Sequence, residues 1–176
     1  DLSKKSSINL SYRKSLLRPH MYQLNPNSNY VDPYTIQQGN PLLNPVNFHD
    51  IKLDYSTSLN NNFISVGTYY SLSSDVIEKM TLLNSSMIFD IKTQNLGDIT
   101  QFGVKLLGSL KPYKNISFNP FLKVFHVQTQ GNEIAKANKI EDKNMMALES
   151  GLSMAMLFKH DIAFSLMYRY NSANVK

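Results

Sequence analysis

From Ser7 to Leu17 the residues alternate. Ile8, Leu10, Tyr12 and Leu16 fall on one side, and Asn9, Ser11, Arg13 and Ser15 on the other. Successive side chains of a strand point to opposite faces, so this period of two predicts a strand with one apolar and one polar face. The pattern returns from Phe48 to Leu59, where Ile51, Leu53, Tyr55 and Leu59 oppose Asp50, Lys52, Asp54, Ser56 and Ser58. It continues through Phe63 to Leu83, where Ile64, Val66, Thr68, Tyr70 and Leu72 oppose Ser65, Gly67, Tyr69, Ser71 and Ser73. A strand from Met87 to Leu110 sets Phe102, Val104, Leu106 and Leu110 against Gln101, Gly103, Lys105 and Ser109. Ile116 to Gln128 has an ambiguous phase. A lysine facing lipid costs about 2–4 kcal/mol at mid-membrane, which places Lys123 on the polar face together with Phe121 and Phe125. Two further strands follow, Met145–Phe158 and Ile162–Tyr170.

Short turns are expected at Asn60-Asn61-Asn62, where asparagine tolerates positive φ and bonds its own backbone, at Lys111–Asn115 and at Lys159-His160-Asp161, and a reversal at Asn84-Ser85 forms the far reach of the long Phe63–Leu110 hairpin. Two other connections are long. Gln130–Asn144 is polar and charged and reads as a loop, and Arg18–Pro45 holds five of the chain's seven prolines (Pro19, Pro26, Pro33, Pro41, Pro45). That stretch is too long and proline-rich for one strand or helix, and its tyrosines and asparagines set it apart from a flexible linker. Long connections on one end and short ones on the other are the arrangement of outer-membrane β-barrels. Most strands reach ten or more residues, enough to cross a bilayer at a tilt, against about 5–6 in soluble proteins.

Composition narrows the classes. The chain has 176 residues, 42% hydrophobic and only 18% charged. Its mean hydropathy of −0.29 does not mark a membrane protein, but lipid-facing and bore-facing residues cancel in such an average. No apolar run is long enough for a transmembrane helix. No apolar stretch of the secretory kind follows Asp1–Lys5. The net charge is +5, but the basic residues are scattered rather than grouped, which argues against a nucleic-acid partner. With no cysteine, disulfides, zinc–thiolate sites and cysteine nucleophiles are excluded. The ten tyrosines and nine phenylalanines suit the interfacial girdles of a barrel.

Candidate chemistry is sparse. His20, His49, His126 and His160 lie far apart without metal-ligand spacing. Gly151-Leu152-Ser153-Met154-Ala155 lacks the final glycine of a nucleophile elbow and sits within an alternating strand. Asp75 and Glu78 read as the rim of a hairpin, and the seven glycines form no phosphate-cradling loop. Three of Met145, Met146, Met154 and Met156 share the apolar face with Leu152 and Phe158, which favours packing over a soft-metal stripe. Neither an enzyme nor a cofactor is expected.

The string Tyr12, Arg18-Pro19, Leu24-Asn25-Pro26, Tyr30, Asp32-Pro33, Gly39-Asn40-Pro41, Leu43 and Pro45 carries a resemblance. Asp75–Glu78, Gln94–Gly97 and Phe102–Val104 extend it. Over roughly Ser7–Pro112 the chain resembles the barrel of TonB-dependent outer-membrane receptors and their relatives in the outer-membrane β-barrel family. It departs from them at Lys105, where an acidic residue is common, and at Asn27, where an aromatic is common; both bear on ligand preference rather than on fold. In the loop, Gly39-Asn40 is expected to supply a positive-φ turn, and Arg18 to bond loop carbonyls or Asp32.

The fold expected is therefore all-β: an antiparallel up-and-down meander of about seven strands forming part of a transmembrane outer-membrane barrel. Residues 1–176 form a single segment of it, without a plug domain. Since single-chain barrels begin at eight strands and transporters of this class have about 22, the segment reads as a piece of a larger barrel. The resemblance implies import of a nutrient or chelate in the bacterial outer membrane. Tyr22, Tyr30, Asp32, Tyr34 and Asn40 are then candidates for ligand contact on the outer loop, and Asp50, Lys52, Asp54, Lys105 and Glu149 for the lumen wall. The partners implied are outer-membrane lipid, the remaining barrel and plug, the TonB energy-coupling complex and a surface lipoprotein. Two rivals remain: a plug-less barrel serving assembly or adhesion, and a soluble β-rich binding domain.

Overall fold

The alternating segments become strands, each paired antiparallel with the next. The computed structural model describes residues 5–158 and 162–172. Its elements are β1 (Ser6–Leu17), α1 (Met21–Leu24), β2 (Asn29–Asp32), β3 (Thr35–Gln38), β4 (Val46–Leu59), β5 (Asn62–Leu83), β6 (Phe89–Tyr113), β7 (Ile116–Gly131), α2 (Glu133–Ala137), β8 (Lys143–Leu157) and β9 (Ala163–Asn171). The sheet runs in the order β1-β4-β5-β6-β7-β8-β9. These are the seven expected strands. Two short ones from the proline-rich loop, β2 and β3, join the same sheet off this path.

At one end the turns are tight. Leu59 pairs with Asn62 around Asn60, whose φ is 54°. The next turn lies at Lys114-Asn115, because β6 runs on to Tyr113 and pairs with Ile116. The expected turn at Lys111–Asn115 is thus shorter. The register shifts between Leu110 and Tyr113, next to Pro112, which has no N–H to give the ladder. The expected turn at Lys159–Asp161 lies outside the described residues.

The other end is built differently. Strands β5 and β6 have 22 and 25 residues against 14 in β4. Pairing with β4 stops at Asn47–Ser74, and pairing of β6 with β7 stops at Gly97–Gly131. Beyond that line the β5–β6 hairpin continues to its reversal at Asn84, whose side chain accepts from the Ser86 and Ile88 amides. The proline-rich loop is more ordered than a loop: α1 opens it, and β3 lies parallel to β6 from Thr35–Phe89 to Gln38–Lys92, covering the exposed edge. The second long connection contains α2, whose Ala135 packs on Met80 and Leu96, with Leu82 and Ile140 alongside. A separate cluster of Phe125, Val127 and Ala147, with Tyr69 and Ile99, lies on the wall.

The register shifts at Ser73–Val76 and again at Ile77. Extra residues of this kind bend a strand and sharpen its twist. Asp75 there has φ 59° and Gly97 opposite has φ 143°. A Cβ on Gly97 would collide with the Gln130 carbonyl oxygen. Gly97→Ala is therefore expected to cost about 1–3 kcal/mol. Heat-modifiable electrophoretic mobility and urea unfolding check this, with Ser85→Ala as the neutral comparison.

Candidate functional site

One face of the sheet carries charge. Asn9, Asp54, Gly67, Lys105, Lys123 and Glu149 are direct register partners across β1, β4, β5, β6, β7 and β8. Asp54 and Lys105 stand two strands apart, yet their ion pair closes at 2.9 Å. It closes because Gly67 lies between them: a Cβ there would strike Asp54 Oδ1 and come within 2.7 Å of Lys105 Cε. Lys123 Nζ lies 3.8 Å from Glu149, 4.2 Å from the Phe125 ring centroid and 5.4 Å from that of Tyr69. Arg169 reaches the other Glu149 oxygen at 4.0 Å. Four residues along, Arg13 pairs with Asp50 at 2.8 Å, and Asp50 also accepts from Ser71 at 2.7 Å. Half-exposed pairs of this kind contribute about 0–1 kcal/mol each. Their consequence is a polar wall on which Arg13, Lys52, Lys105, Lys123 and Arg169 stand beside Asp50, Asp54 and Glu149.

The opposite face is apolar. Its rows read Leu10, Leu53, Thr68, Val104, Val124, Leu148, then Tyr12, Ile51, Tyr70, Phe102, His126, Met146. The next row outward turns mostly polar, with Lys14, His49, Leu72, Thr100, Gln128 and Asn144. Tyr12 and His49 join across that boundary at 2.8 Å. Leu53 is 46% exposed, Val104 48% and Leu152 37%, so no second sheet covers them. A shallow groove of about 440 Å³ runs over Thr68, Val104 and Val124, between Ile51, Tyr70 and Phe102.

At the outer end, Asn95 ties three segments together. Its side chain accepts from the Asn44 amide at 2.8 Å and donates to the carbonyls of Asn44 at 3.0 Å and Asp75 at 2.6 Å. Its own carbonyl accepts from the Asn132 side chain at 2.7 Å. Asn132 is the N-cap of α2 and accepts from the Ala135 amide at 3.1 Å. Proline-rich loop, bulge and α2 thus meet at one residue. Beside them, a pocket of about 380 Å³ sets Arg18, His20 and Tyr22 over Val46, Phe48 and Ile99.

A family model described as "Outer membrane protein beta-barrel family" matches residues 1–176. The chain belongs to the outer-membrane β-barrel protein family. Two solved structures share the fold. The siderophore receptor PirA from Pseudomonas aeruginosa superposes with a TM-score of 0.63 at 11% identity, over 96% of this chain and 36% of that one. The copper transporter OprC superposes with a TM-score of 0.53 at 10% identity, over 100% of this chain and 30% of that one. The chain thus spans about a third of the length of these structures. No curated protein matches.

The chain is accordingly part of a transmembrane barrel in the bacterial outer membrane. In that setting the apolar face meets lipid, since each lysine or arginine turned toward the bilayer centre costs about 2–4 kcal/mol. The soluble alternative, apolar faces packed on each other, is not what the sheet shows.

The sequence candidates fall in two places. Asp50, Lys52, Asp54, Lys105 and Glu149 share the charged face. On the outer loop, Tyr22, Tyr30 and Tyr34 are 61%, 71% and 69% exposed. Asp32 accepts from the Tyr34 amide at 2.7 Å, and Asn40 bonds Gln94 at 2.9 Å and the Leu42 amide at 2.9 Å. Arg18, expected to bond loop carbonyls or Asp32, makes neither bond among the described residues and lines the mouth pocket instead. Gly39 does not take the expected positive φ; among the described residues, Gly97 is the glycine that does. Gly39 is required by close approach, because a Cβ would lie 2.5 Å from the Gln23 carbonyl oxygen. Sequence reasoning missed Asn95, whose side chain bonds loop and bulge backbone far away in sequence, and the part played by Gly67, which acts through strand partners that only the register reveals.

Removing the Asn95 side chain takes away three hydrogen bonds, two to exposed Asn44 and one to the part-buried Asp75 carbonyl, at about 0.5–1.5 kcal/mol each. Asn95→Ala is expected to speed amide exchange at 35–44 and 132–138 together, while the β6–β7 wall keeps its protection. Hydrogen-exchange mass spectrometry reads this directly.

Proposed function

We propose that this chain forms wall and outer vestibule of a receptor of the TonB-dependent type that imports a nutrient or chelate. The observation that carries the reading is the back-to-back arrangement of the sheet: an uncovered apolar face against a charged face, capped by a braced platform of exposed tyrosines. In this reading the charged face, with Asp50, Lys52, Asp54, Lys105 and Glu149, lines the bore. Tyr22, Tyr30 and Tyr34 contact ligand at the mouth, and Asp32 and Asn40 hold the loop that presents them. Among the described residues, strands β1 and β9 each have one neighbour. Open edges of this kind need pairing inside a bilayer, so in this reading both edges are paired in the closed barrel. A plug inside the closed barrel, the TonB energy-coupling complex and a surface lipoprotein complete the machine. The structural neighbours, a siderophore receptor and a copper transporter by name, support import over catalysis.

A second reading, an adhesion or assembly platform, draws on Met21, Leu42 and Met87, which are among the most exposed apolar side chains. Cells expressing the full-length gene separate the two. Import predicts that at least one member of a panel of ferric chelates, copper and oligosaccharides accumulates in an energy-dependent way. Accumulation should fall roughly tenfold in the Tyr22→Ala, Tyr30→Ala, Tyr34→Ala triple variant at equal surface level. Loss of cell adhesion in a Met21→Ser, Leu42→Ser, Met87→Ser variant, with no accumulation of any panel member by the unaltered protein, contradicts import.

A further inference from the structure

A second cleft opens on the proline-rich loop, at the base of the β2–β3 hairpin, with a volume of about 360 Å³. Its chemistry is unlike that of the mouth pocket. Side chains of Asn27, Ser28, Asn29 and Gln37 line it together with Tyr22, and no charged residue does. Asn29 and Gln37 are direct partners across the hairpin, so their amides leave from the same face. The backbone beneath is fixed. Gly39 donates to the Asn25 carbonyl at 3.0 Å and Asn40 to the Gln23 carbonyl at 2.7 Å. The Gln38 side chain donates to the Pro26 carbonyl at 2.7 Å, and the Asn27 amide donates to Asn25 Oδ1 at 3.1 Å. Gly39 lets these strands of chain touch, since a Cβ would lie 2.5 Å from one carbonyl and 2.6 Å from the other. Among the described residues the side-chain amides of Asn27, Asn29 and Gln37 and the Ser28 hydroxyl make no hydrogen bond of their own.

We infer that this cleft binds an uncharged, polyhydroxylated ligand, a neutral saccharide. Each amide offers two donors and an acceptor from one short side chain. Vicinal ring hydroxyls need that mixture, since each both donates and accepts. A tyrosine ring beside them supplies an apolar surface for the C–H face of a sugar. An anionic chelate finds no counter-charge here, and an apolar ligand would leave the amides without partners at about 1–3 kcal/mol each. The fixed backbone lowers the entropy lost on binding. The inference rests on the outer loop being the ligand-contacting surface of the proposed receptor, and it names the class of cargo.

The full-length protein in detergent is tested by saturation-transfer NMR against maltose, cellobiose and raffinose, with galacturonate and ferric citrate as charged comparisons. At least one neutral sugar should bind, with an affinity unchanged between low and high salt. Asn29→Ala with Gln37→Ala should weaken it roughly tenfold. Asn29→Asp, which keeps the shape and removes the donors, should weaken it as well, and heat-modifiable mobility confirms that each variant is folded. Absence of neutral-sugar binding, or binding indifferent to these variants, overturns the inference. Binding of ferric citrate alone overturns it and leaves the receptor reading standing, whereas no binding of any probe together with no cellular import removes both.

Discussion

Inside a bilayer no water is present to satisfy the backbone, so every N–H and C=O must find a partner on a neighbouring strand. The meander meets that demand for each strand between β1 and β9. The rest follows from it. Once strands are paired in one sheet, period-two alternation sends one set of side chains to lipid and the other to the opposite side. The charged face then has to be filled without distorting the ladder. Gly67 does this by yielding its space to the Asp54–Lys105 pair, and Gly151 by yielding it to the Phe121 ring, which lies where a Cβ would stand. Gly103 does the same for Phe125, whose Cβ would be 2.7 Å from one on the glycine. Charge and ring thus occupy gaps left by the same kind of residue.

Above the membrane the constraint relaxes, and strand lengths no longer need to match. The β5–β6 hairpin outruns its neighbours and would stand as a lone ribbon, which is marginal in water. Three devices support it: β3 on its edge, α2 on its side and Asn95 at its root. The bulge at Ser73–Val76 marks the level at which wall becomes platform. The proline-rich loop braces the hairpin while its own tyrosines stay exposed.

Much of the wall was legible in the sequence because burial in a one-sheet barrel reduces to alternation. β1, β4 and β8 fall within two residues of the periodic segments, and Lys123 lies on the face that lipid energetics assigned to it, beside Phe125. The outer end was harder. α1, β2, β3 and α2 are four to five residues long, too short to express a period, and they are held by contacts distant in sequence. Asn95 looked like any polar strand residue, because its three side-chain bonds go to backbone groups some 20 and 51 positions away. Gly39 was read as a turn glycine, because composition records that a glycine is needed and not whether rotation or proximity demands it. The tyrosines stood out by exposure-prone context, and Asp32 and Asn40, polar in the same loop, also bond within the outer end and help to shape it.

The central claim, that one side of this sheet faces acyl chains and the other a watery bore, is tested most directly by single cysteines along β6 in the native outer membrane. Cysteines replacing Gln101 and Lys105 should react with a membrane-impermeant maleimide. Those replacing Phe102, Val104 and Leu106 should react only with a probe dissolved in lipid, so that labelling alternates residue by residue. Equal reaction of both sets with the water-soluble reagent would contradict the account.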